Sequence, residues 1–143
     1  ELRWFEKNKG QTIPWKGIRN RKLAKSPKGI YCPAGKDYAL AIKNIIGSGY
    51  SLRESHVFEH DNGAFYFEYP TETAKRGKDI EFYTNAKLCA SGKDLVPIGL
   101  IYQKTKKPNP LYHVYGPALV RYHEATNIFQ VYGFNDLFTV RFL

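Results

Sequence analysis

The segment between residues 84 and 133 constrains the fold most, because its pattern is one short helix followed by several strands. The helix is predicted over Thr84–Ser91, with Gly92 as its stop. Gly116-Pro117 lies within one of the strands and predicts a bulge or an edge position. Short apolar and aromatic runs predict the strands themselves, over 95–103, 111–122, 127–133 and 137–142.

The first half of the chain adds two predicted helices. Residues 1–9 predict a short amphipathic helix with Leu2 and Phe5 on one side. Gln11 to Pro33 contains several prolines and glycines, so it is expected to be extended or looped. A second helix is predicted from Asp37, the expected N-cap, to Gly47-Ser48-Gly49, because apolar residues follow at helical spacing: Tyr38, Ala41, Ile42 and Ile45.

A hairpin is predicted in the middle of the chain. Val57-Phe58 starts a strand, Asp61-Asn62-Gly63 is a strong turn signal, and Ala64 to Tyr69 forms the return strand. The return strand should carry Phe65, Phe67 and Tyr69 on one face, and Tyr66 and Glu68 on the other. The whole pattern predicts an α+β domain built on a strongly twisted, mostly antiparallel sheet or partial barrel, with two or three short helices.

Length and composition limit the class of protein. The 143 residues fit a single domain, and a hydrophobic content of 43% argues against disorder. No apolar run approaches the roughly 20 residues of a membrane helix, and no signal-peptide pattern opens the chain, so we expect a soluble, intracellular protein without membrane partners. Cys32 and Cys89 fit no metal-binding spacing. A chain that begins at Glu1 is expected to be a piece of a longer protein.

Positive charge is concentrated at the N-terminus. The net charge is +9, and residues 1–30 contain nine Lys or Arg against two acids, which gives +7 locally. Such a segment favours binding to phosphates, because each neutralised phosphate releases counterions. Charge alone leaves nucleic acid, an acidic protein and a membrane surface as alternatives, and a solvated surface remains the non-functional interpretation.

One enzyme motif occurs, but its context argues against a metal site. His56-Val57-Phe58-Glu59-His60 matches the H-x-x-E-H pattern of a zinc-peptidase class, which requires both imidazoles on one helical face. Val57 and Phe58 favour a strand, and on a strand the two imidazoles would stand about 13 Å apart at ~3.3 Å per residue. Neither a nucleophile arrangement nor a glycine-rich phosphate loop is evident. No catalytic site, metal or cofactor is therefore predicted in this segment.

The order of motifs resembles that of the SRA domain (SET- and RING-associated), which reads modified bases in duplex DNA. The residues that carry the resemblance lie within 28–134: Gly29-Ile30, Asp37 to Ile42, Gly49-Tyr50, Phe67-Glu68-Tyr69, Asn85 to Leu88, Pro97-Ile98 and Tyr112 to Val120. The chain is most similar to the N-terminal reader domain of HNH-containing modification-dependent (type IV) restriction endonucleases. That likeness rests on Lys28 to Pro33, Tyr38 to Ile42, Val96 to Gly99 and Tyr112 to Val120.

The resemblance implies that the domain flips a modified base out of the duplex and stacks it between aromatic rings. Tyr50 and Tyr69 match the stacking positions, and Phe67 and Glu54 complete the expected pocket. Glu54 stands for the family's acidic residue, although Ser51-Leu52-Arg53 follow Tyr50 directly. The base is expected to be methylated cytosine, with hydroxymethylcytosine and 6-methyladenine as alternatives. DNA-backbone contacts are expected from Arg19, Arg21, Lys22, Lys25, Lys104, Lys106 and Lys107.

The resemblance also implies a context. A bacterial cytoplasmic protein is expected, in which this domain, residues 1–143, targets an HNH nuclease beyond Leu143 to foreign modified DNA. A divalent metal, and a dimer if one forms, would then belong to that nuclease domain. Two rival hypotheses remain: a PUA-like RNA-binding module that does not flip bases, and a small metalloenzyme that uses His56, Glu59 and His60.

Overall fold

Within the residues that the structure describes, one mixed sheet organises the chain and three α-helices pack against it. The computed structural model describes residues 2–22, 29–45, 57–60, 63–72, 77–105 and 108–133. Within these residues the elements are, in chain order, α1 (Leu2–Asn8), β1 (Thr12–Pro14), α2 (Trp15–Ile18), β2 (Ile30–Tyr31), β3 (Ala41–Asn44), β4 (Phe58–Glu59), β5 (Phe65–Pro70), a 3₁₀ turn (Asp79–Glu81), α3 (Tyr83–Lys93), β6 (Ile98–Thr105), β7 (Leu111–His123) and β8 (Ile128–Gly133).

The sheet is mostly antiparallel, as predicted, and it is strongly curved. Its strand order is β2-β3-β6-β7-β8-β5-β4, with β1 paired to β7 beside this path; among the described strands, β3 and β6 are the one parallel pair. Phe67 on β5 and Tyr102 on β6 have ring centroids 5.8 Å apart. These strands are three positions apart, which would be about 14 Å in a flat sheet. The sheet therefore curls until its strands face one another, but β2 and β4 are not joined, so the described sheet is open.

Both faces of the central strands are covered. The larger cluster fills the inside of the curl and includes Phe67, Leu88 and Val131. The smaller cluster lies on the outer face, where Phe5 of α1 and Ile18 of α2 are fully buried. Two-sided burial explains why the central strands have few polar residues.

The predicted hairpin strand is confirmed. β5 pairs with β4 in antiparallel register, and its side chains alternate between buried and half-buried positions from Phe65 to Pro70. The bulge predicted at Gly116-Pro117 is also confirmed. Tyr115 pairs with Leu100 and Ala118 with Ile98, so two residues of β7 oppose the single residue Gly99. The peptide bond between Gly116 and Pro117 is cis.

The helix predicted from Asp37 is wrong over the described residues. Residues 37–40 form a bend and a short link, and Ala41–Asn44 forms β3. Ile42 packs in the inner cluster and Ala41 in the outer cluster, so this strand is buried on both faces. A strand covered on both sides has a continuous apolar run, and such a run does not distinguish strand from helix. Residues 46–50, at the expected end of that helix, lie outside the described residues.

The helix predicted at Thr84–Ser91 is present but longer, so the stop assigned to Gly92 is wrong. α3 continues to Lys93. A Cβ at Gly92 would collide with the carbonyl oxygen of Val120 on β7. Gly92 therefore allows the helix to lie close to the sheet rather than ending it. The predicted strand 137–142 lies outside the described residues, and no described helix could cross a membrane.

Candidate functional site

A cavity of about 400 Å³ lies where the pairing along one edge of β7 changes from one strand to another. β1 pairs with Leu111–His113 and β8 pairs with Ala118–His123. The stretch between them bends at the Gly116-Pro117 bulge. Residues from the β4–β5 hairpin, including Glu59, His60 and Gly63, form the opposite wall. We call this space the hairpin cavity.

Three ring side chains meet along the wall of the hairpin cavity. The Phe65 and Tyr115 centroids are 4.8 Å apart, with their planes at 48°. The His113 and Tyr115 centroids are 4.4 Å apart, with their planes at 55°. Phe65 and Tyr115 are 5% exposed, whereas His113 is only partly buried. His113 is therefore the ring of the three with the most surface available to a bound molecule.

The imidazole of His113 is held in a defined orientation. Its Nδ1 lies 2.7 Å from Oγ1 of Thr12 on the neighbouring strand β1. Burial lowers the pKa of His113, and the nearby Lys104 ammonium lowers it further, while Glu59 opposes the shift. The ring is consequently neutral around pH 7, with one nitrogen engaged by Thr12 and the other available.

Tyr115 lines the hairpin cavity, but its hydroxyl oxygen is buried away from solvent. It has no hydrogen-bond partner among the described residues. Burial raises the pKa of this phenol strongly, and the neighbouring Glu59 carboxylate raises it further. The two groups are close, yet they do not meet the geometric requirements of a hydrogen bond. The phenol therefore stays protonated at neutral pH and can donate.

Lys104, which was predicted to contact the DNA backbone, lies beside the same site. Its Nζ is 5.4 Å from the centroid of Tyr102 and 5.7 Å from that of Tyr115. Both distances are within the range of a cation–π contact. This places an exposed positive charge next to the ring cluster. Lys106 and Lys107 lie outside the described residues.

Of the pocket residues predicted from the resemblance, the two that the structure describes, Phe67 and Tyr69, do not lie on the surface. Phe67 is 0% and Tyr69 1% exposed, and both belong to the inner cluster. The hydroxyl end of Tyr69 occupies the space that a side chain at Gly29 would need. A base could stack on Tyr69 only if the core around it opened. Tyr50 and Glu54 lie outside the described residues.

A buried network of hydrogen bonds around Glu72 lies near Tyr69. The carboxylate of Glu72, 1% exposed, accepts a hydrogen bond of 3.1 Å from the backbone N–H of Gly29 through Oε2. Asn85 on α3 fixes the backbone of Glu72 from the other side: its Oδ1 accepts from the Glu72 N–H at 2.9 Å and its Nδ2 donates to the Glu72 carbonyl at 2.7 Å. The sequence did not single out Glu72, because a glutamate in a polar loop gives no sign of burial.

A basic surface covers part of the N-terminal region. The guanidinium carbon of Arg21 lies 4.8 Å from the ring centroid of Trp4. Arg3 and Lys7, on α1, line the same depression. The predicted backbone contacts Arg19 and Lys22 flank Arg21 in the chain and are exposed. We call Arg3, Lys7, Arg19, Arg21 and Lys22 the basic face; Lys25 lies outside the described residues.

The positions of the basic face are fixed by local structure. Ile18 is fully buried beneath the turn that follows α2. The backbone N–H of Arg19 donates to the Trp15 carbonyl at 2.8 Å, and that of Arg21 donates to the Ile18 carbonyl at 2.8 Å. The turn is thereby anchored, so its cationic side chains project from a defined backbone.

Enzyme chemistry gains no support within the described residues. They contain no group of three His, Cys, Asp or Glu residues that could hold a metal ion. Phe58 and Glu59 form a strand rather than a helix, and His56 lies outside the described residues. Both cysteines are free thiols, and burial raises the pKa of Cys32 to about 11, so Cys32 is a poor nucleophile near pH 7.

Some residues of the hairpin cavity already stood out in the sequence, but for other reasons. Glu59 and His60 were considered as zinc ligands, and His113 and Tyr115 belong to a segment that carried the family resemblance. Their meeting depends on the pairing of β4 with β5, and of both β5 and β7 with β8, which joins distant parts of the chain. No family model matches the chain, and no curated protein or solved structure matches it significantly.

Proposed function

We propose that this domain binds double-stranded DNA carrying a modified base, flips that base out of the helix, and thereby directs an attached HNH nuclease to foreign modified DNA. The proposal starts from the ordered motifs shared with SRA-type readers. The basic face is the observation that carries it. The cations of α1 and of the anchored turn after α2 gather around the Trp4 ring, and such a cluster suits the phosphate backbone of a duplex.

The arrangement of charge supports a nucleic-acid partner more than a solvated surface. Arg3, Lys7 and Arg21 converge on the Trp4 depression although their positive charges repel one another. A polyanion would compensate this repulsion and release its counterions. Lys104 adds a cation beside the hairpin cavity, where a flipped nucleotide would bring its own phosphates.

The proposal uses only part of the predicted pocket. Phe67 and Tyr69 pack in the core, so neither is assigned a stacking role here. What remains is a base-flipping reader whose pocket lies elsewhere on the domain. Flipping costs a few kcal/mol of stacking and pairing, which contacts to the extruded base must offset.

A binding panel tests the proposal. Matched duplexes would carry one 5-methylcytosine, 5-hydroxymethylcytosine, N6-methyladenine or no modification, and an RNA duplex would test the alternative of a PUA-like module. We expect at least one modified DNA duplex to bind about tenfold more tightly than the unmodified one, which corresponds to roughly 1.4 kcal/mol. Equal affinity for all DNA duplexes, or a preference for RNA, would contradict the proposal.

A charge variant serves as the matched control for this panel. Replacing Arg19, Arg21 and Lys22 by Ala should weaken binding to every duplex alike and reduce the dependence of affinity on salt. The ratio of modified to unmodified affinity should stay at the wild-type value. Replacing the exposed Lys36, which is not part of the basic face, should change neither quantity.

A further inference from the structure

A row of ring side chains runs across the outer face of β4, β5 and β8. Phe58 pairs with Tyr66, and Tyr66 pairs with Tyr132. Residues directly opposite one another in antiparallel strands lie on the same face of a sheet. The ring centroid of Tyr66 lies 6.5 Å from that of Phe58 and 5.1 Å from that of Tyr132. Leu119, opposite Tyr132 on β7, continues this apolar row.

The apolar row is accessible at the surface. Phe58 is 53% exposed, and Tyr66, Tyr132 and Leu119 are half-buried. α1 and α2 pack in the outer cluster, which among the described residues contains none from β4, β5 or β8. These two helices therefore leave the row uncovered. Contiguous exposed apolar surface of this kind is typical of interaction sites.

A polar row runs beside the apolar one. Glu68 pairs with Gln130, and Gln130 pairs with Arg121, so an acid, an amide and a base follow one another across β5, β8 and β7. The Tyr66 hydroxyl donates to Oε2 of Glu68 at 2.7 Å, and that of Tyr132 donates to Oε1 of Gln130 at 3.1 Å. Burial, and then the hydrogen bond to Glu68, raise the pKa of Tyr66 to about 12, so this phenol stays protonated at neutral pH. Both rings are thereby held down along their strands.

A depression lies at the β7 end of both rows. It encloses about 450 Å³, and its lining includes Leu95, Leu119, Arg121 and Tyr132. Leu95 is 68% exposed, so apolar surface in the depression can be reached from solvent. The apolar row thus has an exposed ring, Phe58, at one end and a partly apolar depression at the other.

Both rows are self-complementary about a two-fold axis that lies in the interface along β8. Such an axis places each position of one protomer against the position equally far on the other side of β8 in its partner. Glu68 of one protomer then faces Arg121 of its partner, and Tyr66 faces Leu119. Phe58, two strands from β8, is directed to the side of β7 on which the depression lies.

We propose that this face joins two copies of the chain, with the apolar row of each protomer packed against that of its partner. A second copy is the occupant that fits, because the charges, the rings and the depression each find their complement on the same face. A polyanion fits less well, since the acid and the base of the polar row balance each other, unlike the charges of the basic face. The inference does not depend on the proposed function.

Sedimentation of the chain over a range of concentrations tests the proposal. We expect a concentration-dependent dimer for the wild type. Phe58→Ser should raise the dissociation constant of this dimer by about tenfold or more, because aromatic anchors dominate interface energies. The melting temperature of the monomer should change little, since the ring is exposed. A wild type that stays monomeric, or a Phe58→Ser dimer as tight as that of the wild type, would overturn the proposal.

Charge reversal tests the symmetry of the contact. Arg121→Glu places two carboxylates opposite each other at both symmetry-related contacts, and Glu68→Arg places two cations there, so each variant alone should be mainly monomeric. An equimolar mixture of the two variants should recover the dimer, because every charge then meets its opposite. If either variant dimerises as the wild type does, or if the mixture of folded variants does not associate, the arrangement is wrong.

Matched controls lie off this face. Tyr83→Ser removes a ring that is 54% exposed on α3, and Lys36→Glu reverses an exposed charge. Both variants should dimerise as the wild type does. If Tyr83→Ser weakens the dimer as much as Phe58→Ser, or Lys36→Glu as much as Arg121→Glu, the effect is not specific to this face and the proposal is overturned.

Discussion

At the scale of single residues, Asn85 shows how one buried amide holds a segment in place. It is fully buried, and besides its two bonds to Glu72 its Nδ2 donates to the Asp79 carbonyl at 2.7 Å. These bonds fasten both ends of the 72–79 segment to α3. The same segment delivers the Glu72 carboxylate to Gly29, next to the buried Tyr69.

Replacing Asn85 by Ala should therefore destabilise the domain. The change leaves two carbonyl groups and one N–H without their side-chain partner, and buried unpaired groups cost about 1–3 kcal/mol each. Water can solvate some of these groups once the 72–79 segment loosens. We therefore expect the free energy of unfolding to fall by about 3 kcal/mol in total. Chemical denaturation measures this, with the exposed Asn20→Ala as the control. Equal stability of the two variants would contradict the role given to Asn85.

Residue roles were the hardest part to predict from the sequence. The resemblance supplied candidate positions, but Phe67 and Tyr69 alternate with half-buried residues and face the core. A strand pattern predicts which residues share a face; it does not tell whether that face lines a core or a pocket. The surroundings of Tyr115 were hidden as well, because only the pairing of distant strands brings Glu59 and Phe65 to it.

At the scale of elements, the contact between α1 and β6 fixes the outer layer of the domain. Phe5 of α1 is fully buried and lies directly over Gly99. A methyl group at Gly99 would coincide with the Phe5 ring. The glycine thus permits the close approach of helix and strand, and this approach also positions Arg3 and Lys7 on the basic face.

Gly99→Ala should push α1 away from the sheet. Overpacking of this kind costs about 1–3 kcal/mol. Combining Gly99→Ala with Phe5→Leu should recover part of that loss, because the smaller side chain makes room for the methyl group. The unfolding free energies of the single and double variants measure this coupling. Additive effects of the two changes would show that Phe5 and Gly99 do not pack against each other.

Gly17→Ala is the matched control. A Cβ at Gly17 would make only ordinary contacts with Ile13, the nearest at 3.4 Å. Alanine is also the better helix former by about 1 kcal/mol. This variant should be as stable as the wild type or slightly more stable.

Elements with apolar residues on one face could be predicted from the sequence, and those buried on both faces could not. The alternation of β5 identified both its type and its inner face. β3 was mistaken for a helix because Ala41 and Ile42 are buried in different clusters, which erases the alternation. The length of α3 was underestimated because a glycine that permits close packing resembles a glycine that ends a helix.

At the scale of the whole molecule, both the curvature of the sheet and the distribution of charge bear on the proposed function. The curl brings β5 close to β6 and encloses the inner cluster, while the bulge in β7 lies beside the hairpin cavity. Lys104 lies next to the cavity, and the basic face lies on the N-terminal elements. In the proposed function, the basic face would supply general affinity for phosphates, and a separate part of the domain would select the base.

The proposed function requires one base to leave the duplex when the domain binds. The most direct measurement places 2-aminopurine beside the modified cytosine and records its emission, which rises when stacking on that cytosine is lost. We predict that emission rises on binding the modified duplex and stays unchanged with the unmodified one. Tight, selective binding with no change in emission would contradict base flipping.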